Sequence, residues 1–284
     1  MNAARIFAGA LALSLTTSLA SASESSRARC EHDLAPRIGE AGKDVIWVPT
    51  PDALVAAMLK AAKTTSQDYI IDLGSGDGKI PIAAAKQFGA HALGIEYNPQ
   101  MVKLAQCYVR AEGVTGRVEI RHADIFQTDF SKATVLTLYL LSDLNMKLRP
   151  TILQMKPGTR VVSNTFKMGD WDPDEFVDSE LGNTRGYLWI VPAQVEGTWT
   201  FKETGGDDSF RLQLEQRHQE IKGHLLGSAR DTSVRAAKLR GTEVEFILVR
   251  TERPLALKGT IEDDKIRASA LTRGRMVEYV GTRS

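Results

Sequence analysis

The segment Tyr69-Ile-Ile-Asp-Leu-Gly-Ser-Gly-Asp-Gly-Lys79 decides the fold of this 284-residue chain. An apolar run leads into three glycines at alternate positions, Gly74, Gly76 and Gly78, and a helical pattern follows over 79–88. Glycines allow a tight turn and let backbone N–H groups approach a ligand where a Cβ would collide. The segment therefore predicts a strand, a ligand-binding loop and a helix.

The same alternation of short apolar runs and helical patterns continues to residue 164. Strands that alternate with helices form a parallel sheet covered by helices on both faces. The predicted strands are Tyr69–Leu73, Ala92–Glu96, Val118–Arg121, Val135–Leu140 and Arg160–Ser163, and the predicted helices are 79–88, 99–112 and 143–155.

The sequence pattern changes after Pro192. Polar and apolar residues alternate in stretches such as Phe210–Glu215, Glu243–Val249 and Lys265–Leu271, with turn signals between them. About eight short strands at this spacing predict a small antiparallel barrel or sandwich. We therefore place an α/β domain at 45–192 and an all-β domain at 193–284.

Two carboxylates in the glycine segment indicate the charge of its ligand. A glycine loop between strand and helix also suits dinucleotides, but Asp72 and Asp77 would repel the pyrophosphate that a dinucleotide places there. S-adenosylmethionine instead carries an ammonium and a sulfonium group, which carboxylates attract. The predicted cofactor is S-adenosylmethionine, and the predicted loop contacts are Asp72, Gly74, Ser75, Gly76, Asp77 and Gly78.

Further cofactor contacts are expected at the ends of the next two strands, because the carboxyl ends of parallel strands line the ligand crevice. Glu96 lies 18 positions after Gly78 and is expected to bind the ribose hydroxyls. Asp124 follows the third strand and is expected to accept the adenine amino group, with Ile125 against the ring. Alone, each of these could be a turn glycine, a helix cap or a surface acid, but their order at successive strand ends favours one site.

Six short motifs between residues 48 and 162 carry a resemblance to a known family. They are Val48-Pro-Thr-Pro51, Asp72-Leu-Gly-Ser-Gly-Asp-Gly78, Gly94-Ile-Glu96, Tyr139-Leu-Leu141, Leu148-Arg-Pro150 and Lys156-Pro-Gly-Thr-Arg-Val-Val162. Together they resemble the bacterial relatives of the mitochondrial methyltransferases that modify lysine in the ATP synthase c subunit and the adenine nucleotide translocase. The resemblance covers about residues 45 to 192. It implies a Rossmann-like fold of seven strands, in which Glu175–Ser179 and Gly186–Val191 supply the last two.

The resemblance implies methylation of a protein lysine. The substrate is expected to enter after the fourth strand, where Tyr139 could orient the amine and Asn145 could accept a hydrogen bond. Their alternatives are a core tyrosine and a helix-surface asparagine. Thr50 is expected to cap the following helix, and the resemblance adds that it lies beside the cofactor.

The sequence departs from the family at two places. Ser142 stands where a proline usually follows Tyr-Leu-Leu, and Ser163-Asn-Thr165 replaces a Ser-His-Asp stretch. A small-molecule methyltransferase therefore stays as an alternative. A second alternative, an exported, non-catalytic S-adenosylmethionine-binding protein, follows from the N-terminal segment, because S-adenosylmethionine is made in the cytoplasm.

Residues 1–22 have the pattern of a signal peptide, with Arg5, an apolar run and the small residues Ala20-Ser21-Ala22. They predict export, to the periplasm, and a mature chain that begins with a segment 23–44 and has no membrane span; a cytoplasmic location is the alternative. Removing the signal reduces the 36 basic residues to 35, equal to the 35 acidic ones. This balance gives no indication of nucleic-acid binding.

The cysteines and histidines give weaker signals. Cys30 and Cys107 are the only cysteines, and an oxidising compartment would permit them to pair, although two unpaired thiols fit the sequence equally well. His218 and His224 fit no common zinc-ligand spacing, so no metal site is predicted.

Overall fold

A computed structural model describes residues 26–34, 47–178, 185–227, 234–250 and 253–284. The predicted signal peptide lies outside these residues, as does most of the segment 23–44. The described chain forms two compact units. The first comprises the residues up to Lys147 with 161–168 and 175–188, and the second comprises 148–160, 169–174 and the residues from Trp189 onward.

The first unit is built on a seven-stranded sheet with the order β3-β2-β1-β4-β5-β7-β6. Strand β1 pairs in parallel with β2 and β4, β2 pairs in parallel with β3, and β6 and β7 are antiparallel. The strands are β1 (Tyr69–Leu73), β2 (His91–Glu96), β3 (Val118–His122), β4 (Val135–Leu138), β5 (Arg160–Asn164), β6 (Glu175–Asp178) and β7 (Arg185–Ile190). This order confirms the Rossmann-like methyltransferase sheet.

Five helices accompany this sheet among the described residues. They are α1 (26–34), α2 (Asp52–Ala61), α3 (Lys79–Phe88), α4 (Pro99–Ala111) and α5 (Ser142–Ile152). Helix α4 shows how the local sequence defines an element, because the Asn98 side chain accepts hydrogen bonds from the backbone of Gln100 and Met101, and Pro99 occupies the first turn. Its apolar face, which includes Leu104 and Tyr108, is buried.

A disulfide bond joins Cys30 of α1 to Cys107 of α4. The sequence left this pairing open, since nothing in the spacing showed where α1 would lie. Arg27 strengthens the same contact, because its guanidinium lies 4.1 Å from the centre of the Tyr108 ring and 3.1 Å from Glu112. The first helix is thus fixed to α4 both covalently and by charge.

The second unit contains one eight-stranded antiparallel sheet with the order β10-β9-β8-β15-β14-β13-β12-β11. The edge strands β10 and β11 approach each other at Gly223 and Val234, so the sheet curls into a nearly closed barrel and not a sandwich. The strands are β8 (Gly197–Glu203), β9 (Ser209–Arg217), β10 (Glu220–Leu225), β11 (Val234–Arg240), β12 (Glu243–Leu248), β13 (Leu255–Glu262), β14 (Lys265–Thr272) and β15 (Arg275–Arg283).

Alternate residues of these strands fill the barrel. Trp199 and Phe201 are completely buried, and Phe201 stacks on Phe210 with ring centroids 5.0 Å apart. This alternation follows from the period of two along a strand. No helix in the described part of the chain has the length and apolar character needed to cross a membrane.

Candidate active site

A cavity of about 300 Å³ lies in the first unit, at the carboxyl ends of β1, β2 and β4. We call its two walls the cofactor wall, formed by the β1 end, the glycine loop and the residues after β2 and β3, and the acceptor wall. The acceptor wall consists of Trp47, Val48, Thr50, Tyr139, Leu140, Leu141, Leu144 and Phe166.

Asp72 begins the cofactor wall at the end of β1. Its carboxylate is 2% exposed and accepts a hydrogen bond of 2.6 Å from Thr137 Oγ1 on the neighbouring strand β4. Burial raises the pKa of Asp72 to about 7, and the negative charges of Glu96 and Asp77 act in the same direction. A cationic group placed here would relieve this unfavourable charge.

The glycine loop follows directly. Gly74, Gly76 and Gly78 all have positive φ, at 76°, 53° and 78°, which is why side chains are excluded there. The backbone N–H of Gly74 donates to Ile95 O at 2.9 Å, so the loop is tied to the end of β2. A Cβ on Gly76 would lie 2.8 Å from Trp47 Nε1, so the loop also touches the acceptor wall.

Glu96 connects the loop to helix α4. One of its oxygens accepts from Gly76 N and the other from Asn98 N, each at 2.8 Å. The carboxylate is half-buried and lines the cavity, where it can receive hydroxyl donors. The contact of Glu96 with the ribose hydroxyls stays a prediction.

The remaining predicted cofactor residues divide between the cavity and the adjoining helix. Asp124 and Ile125 both line the cavity, and Asp124 also accepts from Phe126 N at 2.9 Å. Asp77 lines it too, but its carboxylate accepts from Lys79 N at 3.2 Å at the start of α3, and burial raises its pKa. Gly78 is the residue before α3 and lies outside the cavity lining.

Ser75 supplies an independent sign of a ligand. Ser75 lines the cavity and is 7% exposed, and its hydroxyl has no hydrogen-bond partner in the part of the chain that the structure describes. A buried hydroxyl without a partner is costly unless a ligand completes it. The loop therefore fits a polar ligand, with Asp72 and Glu96 ready for a cation and for hydroxyl groups.

The acceptor wall is apolar and aromatic. Tyr139 and Phe166 are half-buried, their ring centroids lie 6.2 Å apart, and their planes meet at 29°. Trp47 completes the aromatic part of the wall. Sequence reasoning identified Tyr139 but missed Trp47 and Phe166. Trp47 immediately precedes the Val48-Pro-Thr-Pro motif, and Phe166 follows Ser163-Asn-Thr165, the stretch that differs from the family pattern.

Asn145 lies behind this wall and not in it. Its side chain is completely buried, is absent from the cavity lining and donates towards Ser163 Oγ and the carbonyl oxygen of Phe166. The sequence predicts that Asn145 accepts a hydrogen bond from a substrate, and this stays a prediction, although its Nδ2 atom faces protein groups. The alternative of a helix-surface asparagine is wrong, because the side chain is buried.

Thr50 lines the cavity but does not cap α2 as predicted. The residue before the helix is Pro51, which makes no side-chain capping bond. The Thr50 hydroxyl instead accepts from Asn164 Nδ2 at 3.3 Å, which links the start of α2 to the end of β5. In the second unit His218 stacks against Trp171, with ring centroids 5.8 Å apart.

Comparisons with known proteins find methyltransferases that are similar to this chain. A family model described as the ANTKMT methyltransferase domain matches residues 72–175. A protein-lysine N-methyltransferase from Saccharolobus islandicus (strain REY15A) is 42% identical over 151 residues, which is 52% of this chain and 94% of that protein. The lysine N-methyltransferase of the ATP synthase c subunit from Xenopus laevis is 30% identical over 132 residues, 45% of this chain and 56% of that protein.

A solved structure gives a further match. The crystal structure of an RNA methyltransferase from Salinibacter ruber in complex with S-adenosyl-L-homocysteine shares 47% sequence identity, with a TM-score of 0.50, and the match covers 52% of this chain and 96% of that chain. S-adenosylmethionine is therefore the cofactor of this chain. The glycine loop, Asp72 and Glu96 are the residues that fit it.

Proposed function

This chain belongs to the protein-lysine N-methyltransferase family, and from that premise we propose that it methylates the side-chain amine of lysine in a protein substrate. The observation that carries the proposal is the acceptor wall. Its aromatic and leucine side chains fit the long apolar stem of lysine and the positive charge at its end. Methyl transfer needs no acidic or basic side chain on that wall.

The residues of the cavity would act by binding, orientation and exclusion of water. When bound, S-adenosylmethionine supplies an electrophilic methyl group on sulfur, and the C–S bond breaks as the new C–N bond forms. Lysine must be neutral to react, and the low polarity around Leu140 and Leu144 lowers the pKa of an amine placed there. The proton leaves to solvent at the cavity mouth.

The rim of the cavity supports a polypeptide acceptor. Three of its side chains are large, apolar and exposed, namely Val48 at 41%, Tyr97 at 47% and Leu141 at 46%. Exposed apolar groups around a cavity are typical of surfaces that dock another molecule. A free amino acid would leave most of this rim uncovered.

RNA is the acceptor that the Salinibacter ruber protein suggests, and charge argues against it here. Lys79 is the basic residue of the cavity lining, and its ammonium already pairs with Asp52 at 2.9 Å. The lining also contains the carboxylates of Asp72, Asp77, Glu96 and Asp124. Phosphate backbones require basic contacts, so this mouth favours a cationic acceptor.

The test is methyl transfer from isotopically labelled S-adenosylmethionine to separate bacterial protein, RNA and small-molecule fractions by the full purified chain. We expect label in protein, recovered as methyllysine after acid hydrolysis and mass spectrometry. Asp72→Asn serves as the control that should lose transfer. Label confined to RNA or to small molecules would overturn the lysine proposal, and cofactor binding without any transfer would indicate a binding protein.

We also propose that the chain is exported. The disulfide between Cys30 and Cys107 supports this, because disulfides persist mainly in oxidising compartments. Residues 1–40 fused to a phosphatase that is active only after export should give an active reporter, and Arg5→Glu should reduce the signal. An inactive wild-type fusion would place the enzyme with its cofactor in the cytoplasm.

A further inference from the structure

The loop after β5 places Phe166 in the acceptor wall by an unusual backbone path. Thr165 has a φ of +64°, a left-handed conformation that is uncommon for a β-branched residue. Such a conformation costs free energy and persists only where neighbouring groups enforce it. The Thr165 N–H donates to Arg185 O at 2.9 Å, and Phe166 N donates to Asn164 O at 2.7 Å.

Asn145 holds the other side of this loop. Its Nδ2 lies 3.2 Å from Phe166 O, 3.4 Å from Lys167 O and 3.3 Å from Ser163 Oγ. Ser163 Oγ itself donates to Phe166 O at 2.7 Å. Two carbonyl oxygens face the amide, so its NH₂ group must point toward the loop.

This orientation leaves the Asn145 Oδ1 atom buried and without a partner among the described residues. A buried carbonyl without a donor is unfavourable. The hydrogen bonds from Nδ2 to the loop therefore stabilise this orientation by more than the unpaired Oδ1 atom destabilises it. The side chain touches the backbone of Phe166 and not the cavity. Any effect of Asn145 on the acceptor must therefore pass through Phe166.

We propose that Phe166, beside Tyr139, is a specificity-determining residue that recognises the cationic amine of the acceptor through its aromatic ring, and that Asn145 is its positioning residue. This inference rests on the proposed lysine methylation. Methylated lysine stays cationic and gains apolar surface with each methyl group, which suits an aromatic wall. Phe166 should thus retain partly methylated lysine for further transfers, each of which releases one proton from the nitrogen.

A binding comparison tests the ring without turnover. The protein is saturated with S-adenosylhomocysteine, and ligand-observed NMR compares Nε-trimethyllysine with its neutral isostere, in which carbon replaces the charged nitrogen. Wild type and Phe166→Tyr should prefer the cation by roughly tenfold. Phe166→Leu, which keeps an apolar side chain, should lose that preference.

The matched control is Phe176→Leu, since Phe176 is 53% exposed on β6 and lies outside the cavity lining. It should keep the preference of the wild type. An undiminished preference in Phe166→Leu, or no preference in the wild type, would overturn the inference. Failure to methylate lysine in the labelled fractions refutes the proposed function separately, because the NMR comparison needs no acceptor reaction.

Product distribution gives a second measurement on a lysine-rich peptide. Phe166→Leu should accumulate monomethyllysine, whereas wild type and Phe166→Tyr should proceed to higher methylation states. Mass spectrometry at equal substrate conversion measures the ratio. The same ratio in Phe166→Leu and wild type would contradict a role for the aromatic ring.

The role of Asn145 is tested by combining its substitution with that of Phe166. Asn145→Ala should lose the cation preference while its Kd for S-adenosylhomocysteine stays unchanged, and Asn145→Ala combined with Phe166→Leu should lose no more than Phe166→Leu alone. Asn145→Asp, which places a carboxylate against the loop carbonyls, gives the same expectation if the alanine variant does not fold. A merely structural role would lower stability but leave the preference intact, and that outcome would remove Asn145 from the proposal.

Discussion

The two walls of one cavity are built in opposite ways. The cofactor wall comes largely from one segment, Asp72–Asp77, with Glu96 added from the next strand, and it consists of the glycine loop and carboxylates. The acceptor wall brings together Trp47, Tyr139 and Phe166, which are far apart in sequence, and it is aromatic. The first wall is fixed mainly by local chain geometry, whereas the second depends on contacts between distant segments, and the two walls meet where Trp47 faces Gly76.

The largest expected effect on cofactor affinity comes from a substitution in the cofactor wall alone. Asp72→Asn removes the charge that should meet the cofactor ammonium, and charged hydrogen bonds of this kind correspond to a loss of affinity of roughly 100-fold. Calorimetric titration with S-adenosylhomocysteine measures the change. Glu119→Gln, at an exposed carboxylate on β3 that pairs with Arg121, should leave the Kd unaltered. Equal Kd values for wild type and Asp72→Asn would mean that Asp72 is a structural acid only.

Gly76→Ala should affect both walls, because its Cβ would meet Trp47 Nε1 at 2.8 Å. Crowding of this size should weaken cofactor binding by roughly 30-fold and also raise the KM for the acceptor. Gly113→Ala is the matched control, since Gly113 also has positive φ, at 70°, but has open space around it. If both variants change the Kd alike, backbone strain and not the Trp47 contact is responsible.

Acidic pH should weaken cofactor binding through Asp72. The folded pKa of about 7 means that Asp72 is protonated below that pH and no longer attracts a cation. The Kd should therefore rise by up to about tenfold per pH unit below 7. Asp72→Asn should show a flatter profile. This group titrates between about pH 5 and about pH 8. A wild-type Kd that stays constant over that range would contradict the role of Asp72 in binding the cofactor.

The same shift has a defined sign for stability. Burial raises the pKa of Asp72 above its value in the unfolded chain, so the folded state binds the proton more tightly. Between about pH 4 and about pH 7 the free energy of unfolding should fall as pH rises, and Asp72→Asn should remove that part of the dependence. Chemical denaturation of the cofactor-free protein at several pH values measures it.

The smallest effect on binding is expected from the disulfide, which belongs to neither wall. Cys30→Ser combined with Cys107→Ser should lower the free energy of unfolding by about 2–4 kcal/mol. The Kd for S-adenosylhomocysteine should hardly change, because Cys107 lies roughly 13 Å along α4 from the cofactor end of that helix. A strongly weakened Kd would show that α1 helps to order the cofactor wall.

The cofactor wall could be predicted from sequence because its residues obey local rules. Asp72, the alternating glycines and Glu96 have fixed positions relative to strand ends, so their meeting follows from parallel pairing alone. The predicted strand Val135–Leu140 ends earlier, at Leu138, because Tyr139 and Leu140 leave the sheet to line the cavity. The two residues wrongly assigned to this strand belong to the acceptor wall.

The acceptor wall could not be predicted in the same way. Phe166 reaches the cavity only because Thr165 adopts a left-handed backbone and Asn145 fixes the loop from another helix. Neither fact has a signal in local composition. Thr50 likewise has a pattern typical of a helix cap, but its hydroxyl bonds to Asn164, more than a hundred residues later.

The disulfide also encloses the cofactor motif in a covalent ring. Cys30 and Cys107 are 77 residues apart in sequence, and the chain between them contains β1, the glycine loop, α3 and β2. A disulfide stabilises a fold mainly by restricting the unfolded chain, and the restriction grows with the length of the loop that it closes. Once the bond has formed, the whole Asp72–Glu96 motif therefore unfolds and refolds inside a closed ring.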